Sequence, residues 1–176
     1  ARGRPDDLEA ADLATRGWAI LFNKPQSQET NEEAGQVLEQ CLKRDPQNAE
    51  AWTGFSYMHS RAATYGWCKS SEAAFRIAVE AGERAIALDP RSADAHLVLG
   101  YAVWGAEADL PRARHLITRC LELNPNYAPG YFWLSVLDLG DGQPKSTLTL
   151  LQRAYRLSPR DGLAALWQYF IAVANV

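Results

Sequence analysis

Residues 93–125 decide the fold: Ala93-Asp94-Ala95-His96-Leu97-Val98-Leu99-Gly100 opens the stretch, Ala113-x-x-x-Ile117 follows, and Leu123-Asn124-Pro125 closes it. The same order of events recurs on both sides. Behind Pro125 stand Tyr131-x-x-Leu134-Ser135, Thr147-x-x-x-Leu151 and Pro159. Earlier in the chain Trp52-x-x-Phe55-Ser56 leads to Pro90, while Trp18-x-x-Leu21 and Ala34-x-x-x-Leu38 lead to Pro46. Each unit ends on one of four phrases, Arg44-Asp45-Pro46, Leu88-Asp89-Pro90, Leu123-Asn124-Pro125 or Leu157-Ser158-Pro159. Proline lacks an N–H and disfavours the helical conformation in the residue before it, so each phrase marks the end of a helix. Two of the three intervals between these prolines keep a period of about 34 residues and the first is about ten longer, the spacing of stacked helix pairs.

The apolar period predicts helices at about 6–23, 30–44, 48–63, 71–88, 93–106, 110–123, 127–139 and 144–157. A last helix at about 161–175 follows from the stripe Leu163, Leu166, Trp167, Phe170, Ile171 and Ala174, and should pack on the fourth pair. No strand survives, so the predicted class is all-α. After a linker at 1–5, an α-solenoid of about four antiparallel helix pairs (6–46, 47–90, 91–125, 126–159) carries the terminal helix. Small residues let the helices of a pair approach: Ser56, Gly100 and Ser135 on the first helices face Ala34, Ala78 and Ala113 on the second ones. No pair buries its own apolar face, so neighbours must stack. The extra residues of the long interval fall near 57–71, where Ala62-Ala63-Thr64-Tyr65-Gly66-Trp67-Cys68 interrupts the helix before Ser70 or Ser71 caps the next. Tyr65 and Trp67 there either pack under the loop or contact a partner.

Composition narrows the function classes. The 176 residues are 47% apolar and 22% charged, with a mean hydropathy of −0.29, which argues against wholesale disorder and a membrane-embedded chain. A net charge of −3 offers no electrostatic footprint for nucleic acid or an anionic lipid surface. Three cysteines are an odd number and fit a reducing cytoplasm better than a disulfide framework. Cys41 and Cys120 occupy small-residue core positions, whereas Cys68 lies in the insertion. His59, His96 and His115 are scattered, Gly140-Asp141-Gly142 is a turn without a phosphate loop's lysine and strand, and Asp6-Asp7 and Glu32-Glu33 open helices. No catalytic residue, metal site or cofactor is expected, and the function is expected to come from shape.

The order aromatic, Leu-Gly, small residue, proline resembles the tetratricopeptide repeat over nearly the whole chain. In that architecture the first helices line a concave face. The resemblance puts Asn23, then Thr53, Tyr57 and Ser60, then Leu97, Tyr101 and Trp104, then Phe132, Val136 and Leu139 on it. An aromatic and aliphatic groove of this kind implies a protein or peptide partner, bound as a helix or an extended segment. The alternative is that the chain's own terminal helix or a second copy fills it. Trp167 and Phe170 are the candidate self-association residues of a homodimer. Some relatives clamp a C-terminal carboxylate with Lys, Arg and Asn; here the matching positions hold Ala19, Gly54, Asp94 and Val98, only Asn23 fits, and that mode is not expected.

A narrower resemblance rests on Arg4-Pro5-Asp6-Asp7-Leu8-Glu9-Ala10-Ala11-Asp12-Leu13-Ala14-Thr15-Arg16-Gly17, on Ala51-Trp52-Thr53-Gly54-Phe55, and on Tyr65-Gly66-Trp67. These look like the C-terminal tetratricopeptide region of bacterial class III adenylate/guanylate cyclase-like proteins and related winged-helix regulators. The resemblance implies a non-enzymatic regulatory or scaffold module of a larger bacterial signalling protein, with any nucleotide cyclisation in a separate upstream domain. Both ends of the sequence fit an excised domain.

Overall fold

Each punctuating phrase is a hydrogen-bonded turn in the computed structural model, which describes residues 5–159, 167–169 and 171–172. Helices α1 (Pro5–Asn23) and α2 (Gln28–Arg44) form the first pair, α3 (Ala49–Tyr65) and α4 (Ser71–Leu88) the second. Helices α5 (Ala93–Glu107) and α6 (Leu110–Leu123) form the third, α7 (Ala128–Gly140) and α8 (Pro144–Leu157) the fourth. Among the described residues there is no strand, and 167–169 and 171–172 are helical. The rest of the predicted terminal helix, Phe170 included, lies outside the described residues, as do residues 1–4 of the predicted linker.

The turns show why Asp or Asn precedes the proline. Asp45, Asp89 and Asn124 each send their own N–H back to the helix, to the carbonyls of Cys41, Ala85 and Cys120 at 2.8, 2.8 and 2.9 Å. Their side-chain Oδ1 then accepts the N–H two residues on, from Gln47, Arg91 and Asn126 at 3.0, 3.0 and 3.2 Å. Proline stops the helix, and the Asx bond aims the chain into the next one. The aromatic residue that opens the next helix locks onto the same turn. Trp52 Nε1 donates to the Pro46 carbonyl at 3.0 Å, and the Tyr131 hydroxyl to the Pro125 carbonyl at 2.9 Å. A guanidinium covers each ring, Arg84 at 4.8 Å and Arg153 at 5.1 Å from the ring centres. A ring with a polar edge is therefore needed here, which leucine cannot supply.

Differences from the predicted boundaries have local causes. Helix α2 starts at Gln28 because Ser27 Oγ accepts the Thr30 N–H at 3.1 Å. Helix α3 continues to Tyr65 and stops at Gly66, whose φ of 70° lies in the left-handed region; the N–H groups of Gly66 and Trp67 both return to the Ala62 carbonyl. The insertion is thus part helix extension and part loop. Ser70, not Ser71, caps α4, accepting the Ala73 N–H at 3.2 Å, while Ser71 Oγ donates to the Ala63 carbonyl at 3.0 Å.

Packing follows the small residues. Ala34, Ala78 and Ala113 are fully buried, and Ser56 Oγ donates across its pair to the Ala78 carbonyl at 2.8 Å. Apolar cores sit around Leu38 in the first pair, around Leu99, Val103 and Ile117 in the middle, and around Leu151 and Phe132 at the far end. Helix α1 packs on α3 and α3 on α5, so the first helices of successive pairs share one face.

Two of the three thiols are core atoms. Burial pushes Cys41 up to about 11, with the nearby Asp45 charge adding to it, and pushes Cys120 up to about 12. Cys41 Sγ donates to the Ala10 carbonyl at 3.1 Å. We expect one thiol, the half-buried Cys68, to react with Ellman's reagent at pH 8 in the native protein, and three in denaturant. A second fast native thiol would contradict the packing. Because these folded-state values are raised, the stability the protonated thiols contribute is present below pH 9 and declines as the pH rises through 11 and 12.

Candidate functional site

The rings that open or line the first helices form a ladder along the shared face. Phe22, Trp18 and Tyr57 lie nearly parallel, with centroids 5.3 Å (Trp18 to Phe22), 6.0 Å (Trp18 to Tyr57) and 5.7 Å (Phe22 to Tyr57) apart. Tyr57 then meets Tyr101 at 6.5 Å, Tyr101 stacks on Trp133 at 4.2 Å, and Trp133 touches Trp104 and Phe132 at 5.9 and 5.5 Å. Phe132 reaches Trp167 at 6.1 Å. Where the ladder is open, a cavity of about 330 Å³ lies between Trp18, Phe22 and Tyr57 on one side and Leu97, Val98 and Trp133 on the other. Phe22, 62% exposed, forms its outer lip.

Arg61 also lines this cavity although it is only 4% exposed. It stands one helical turn beyond Tyr57, and its guanidinium carbon lies 5.6 Å from the Tyr57 ring centre and 5.8 Å from that of Trp67. Trp67 comes from the insertion, folded back after Gly66 and stacked on Tyr65 at 4.9 Å. Nη1 donates to the Leu21 carbonyl at 3.3 Å, near the C-terminal end of α1, whereas Nε is buried without an acceptor. No carboxylate among the described residues stands within ion-pair distance of it. Burying an ion without a partner costs several kcal/mol, and each cation–π contact returns roughly 0.5–2 kcal/mol. The guanidinium is held in place by aromatic faces but not neutralised.

A second cavity, of about 430 Å³, shares Trp18, Phe22, Asp94 and Tyr127 with the first and adds Glu50, Thr53, Asp89 and Ser92. Its character is acidic. Burial raises the Glu50 carboxyl above its usual range and the charge of Asp94 raises it further. Tyr127, whose phenol burial pushes up, donates its hydroxyl to Asp94. Lys24 borders the first cavity but is paired with Glu33 at 2.6 Å.

The residues expected on the concave face divide. Tyr57 and Leu97 line the first cavity and Thr53 the second. Tyr101 and Phe132, each 4% exposed, are core side chains. Tyr101 is covered by Trp133 and shares a 2.5 Å hydrogen bond with Thr64 Oγ1, and Phe132 packs against Trp167, so neither is an outward anchor. Ser60 is fully buried; Trp104 and Val136 are half-buried against core clusters. Leu139 and Asn23 are exposed and border neither cavity. The reason is large rings: Tyr101 and Trp104 in the later half of α5 meet Trp133 in the middle of α7 and fill the gap there, whereas the open cavity is lined by residues nearer the helix starts, Asp94, Leu97, Val98 and Pro129. Trp167 is fully buried by its own chain, which removes it from a self-association surface. Tyr65 is half-exposed and Trp67 lies over Arg61.

Sequence reasoning missed Trp18, Phe22, Arg61, Tyr127 and Trp133. A signal for Arg61 was present, since it is the sole charged residue between Ala51 and Cys68. The histidines do not converge: His96 Nδ1 lies 2.8 Å from the Ser92 carbonyl, His59 packs on the Phe55 ring at 4.5 Å and burial lowers its pKa, and His115 is exposed. Among the described residues, no group of three or more His, Cys, Asp or Glu is placed to hold a metal, and no helix is long and apolar enough to cross a membrane.

No protein-family model matches the sequence, and no curated protein does. Solved structures match its fold. A thermophilic TPR protein of Thermus thermophilus superposes with a TM-score of 0.70 at 18% identity, over 96% of this chain and 80% of its own. The human IFIT1 dimer with m7Gppp-AAAA gives 0.77 at 19% identity, over 94% of this chain and 35% of its own. The O-GlcNAc transferase of Thermobaculum terrenum gives 0.68 at 21% identity, over 88% of this chain, which spans only 27% of that enzyme. The fold is that of a tetratricopeptide solenoid.

Proposed function

We propose that this tetratricopeptide solenoid is a non-enzymatic interaction module that binds a segment of a partner protein in the aromatic cavity of its concave face. The observation that carries this reading is the stack of Phe22, Trp18 and Tyr57 beside an open cavity of about 330 Å³, with Phe22 presented at its lip. Rigid aromatic anchors in a concave, largely apolar site suit a peptide or a short helix. The solenoid of human IFIT1 is found with m7Gppp-AAAA. On this chain a nucleic acid is disfavoured by the net charge of −3 and by Glu50, Asp89 and Asp94 along the cavity rim.

The stretches 4–17, 51–55 and 65–67 support placing the module in a larger bacterial signalling protein of the cyclase-like or winged-helix class, where catalysis belongs to another domain. The three free thiols support a reducing, cytoplasmic setting. A random peptide library displayed on phage and selected on the chain tests the reading. Peptides should be enriched whose affinity falls at least about tenfold on Phe22→Glu, while the variant stays folded, because Phe22 is 62% exposed and only its stacking on Trp18 and Tyr57 is lost. Failure to enrich any peptide, or equal binding to Phe22→Glu, would sink it. A dimer that Phe22→Glu dissociates would put a second copy in the groove instead.

A further inference from the structure

The concave groove is dipolar: the buried guanidinium of Arg61 lines the first cavity, the carboxylates of Glu50 and Asp89 line the second, and Asp94 stands where the two meet. The geometry points to a partner segment that runs through the groove in extended form and carries an acidic side chain for Arg61 and a basic side chain for Glu50 and Asp94, about five residues apart.

The spacing comes from α3. Arg61 lies three turns beyond Glu50 on the same helix, about 16 Å along its axis. An extended chain advances about 3.3 Å per residue, so about five residues cover that span. The residues between the two charges face Trp18, Tyr57 and Leu97 and should be apolar or aromatic.

An anion is called for because Arg61 is the group left incomplete. It has five N–H donors in a fixed fork, of which one meets the Leu21 carbonyl. Nε is buried with no acceptor. Tyr57 and Trp67 hold the plane of the fork without using its donors. A side-chain carboxylate and a C-terminal carboxylate offer the fork the same oxygens, and a peptide capped at both ends separates the two. At the acidic end, Tyr127 donates to Asp94, and burial together with the Asp94 charge disfavours ionisation of Glu50, which lines the same cavity. A lysine or arginine placed beside them offsets that effect.

The inference rests on the interaction-module reading, and the test separates the two. The peptides enriched on the wild-type chain are sequenced, and the strongest is resynthesised with an acetylated N-terminus and amidated C-terminus. We expect a Glu or Asp and a Lys or Arg four to six residues apart, in one chain direction, around an apolar residue. Binding of that peptide should weaken roughly 10- to 100-fold on Arg61→Met, while its Glu→Gln version binds wild type and Arg61→Met equally weakly. Arg61→Lys should recover part of the loss, and Asp94→Asn should weaken binding only for peptides that keep the basic residue. That coupling is a readout that mere support of the Leu21 carbonyl would not produce.

Peptides that need Phe22 but show no charge pattern and ignore Arg61→Met would overturn this inference and leave the module reading standing. No enriched peptide at all would remove both. Arg61-dependent binding seen only with a free C-terminal carboxylate, or only with a 5′-triphosphorylated tetranucleotide, would also overturn it.

Discussion

Trp167→Ala is expected to lower the free energy of unfolding by about 3–5 kcal/mol. The side chain is fully buried, its ring is 6.1 Å from that of Phe132, and Leu151 and Ala154 complete its seat. Alanine leaves a cavity that the ends of two packed helices cannot collapse into. Trp167→Phe separates volume from polarity. It keeps most of the ring and removes an indole N–H that is buried without an acceptor, so its cost should stay below about 1.5 kcal/mol. Urea melts followed by circular dichroism give both values. Equal losses for the two variants would show that the ring's volume is not what matters.

Gly100→Leu should cost about 3 kcal/mol, the upper end of the overpacking range. A Cβ at this position meets Ile117 Cγ1 at 2.8 Å and the Ala113 carbonyl oxygen at 3.2 Å. The isoleucine can give way, but the carbonyl belongs to the backbone of α6. Leucine therefore has to separate α5 from α6, the two helices that build the middle core. In a domain whose whole stability is about 5–15 kcal/mol, that is a large share. Chemical denaturation checks it, and combining Gly100→Ala with Ile117→Val should be milder than Gly100→Leu. An unchanged midpoint for Gly100→Leu would mean that the pair does not approach as described.

The helices were legible because their signals are local. Asp45, Asp89 and Asn124 act within two residues of themselves, and Ser27, Asn48, Ser70 and Ser92 cap the helix that follows. The site was less legible because it depends on how far apart the first helices stand. Tyr57 and Tyr101 occupy the same place in the repeat, yet Tyr57 borders an open cavity while Trp133 covers Tyr101. Periodicity tells which side of a helix faces inward. Whether that side stays open depends on the size of the side chain on the next helix, which no pattern within a single repeat contains. Arg61 is intermediate: its charge on an otherwise uncharged stretch was visible, but its burial depends on Trp67, brought back over it by the turn at Gly66.

The ring ladder bears on how the chain unfolds. In a solenoid, stability is approximately a sum of terms intrinsic to each repeat and terms at the junctions between neighbours. Every junction here carries at least one aromatic contact: Trp18 with Tyr57, Tyr57 with Tyr101, Tyr101 with Trp133, and Phe132 with Trp167. Weight is thereby moved from the repeats to their interfaces. A chain weighted in that way melts as one cooperative unit instead of fraying repeat by repeat, so an event at one end is felt energetically at the other.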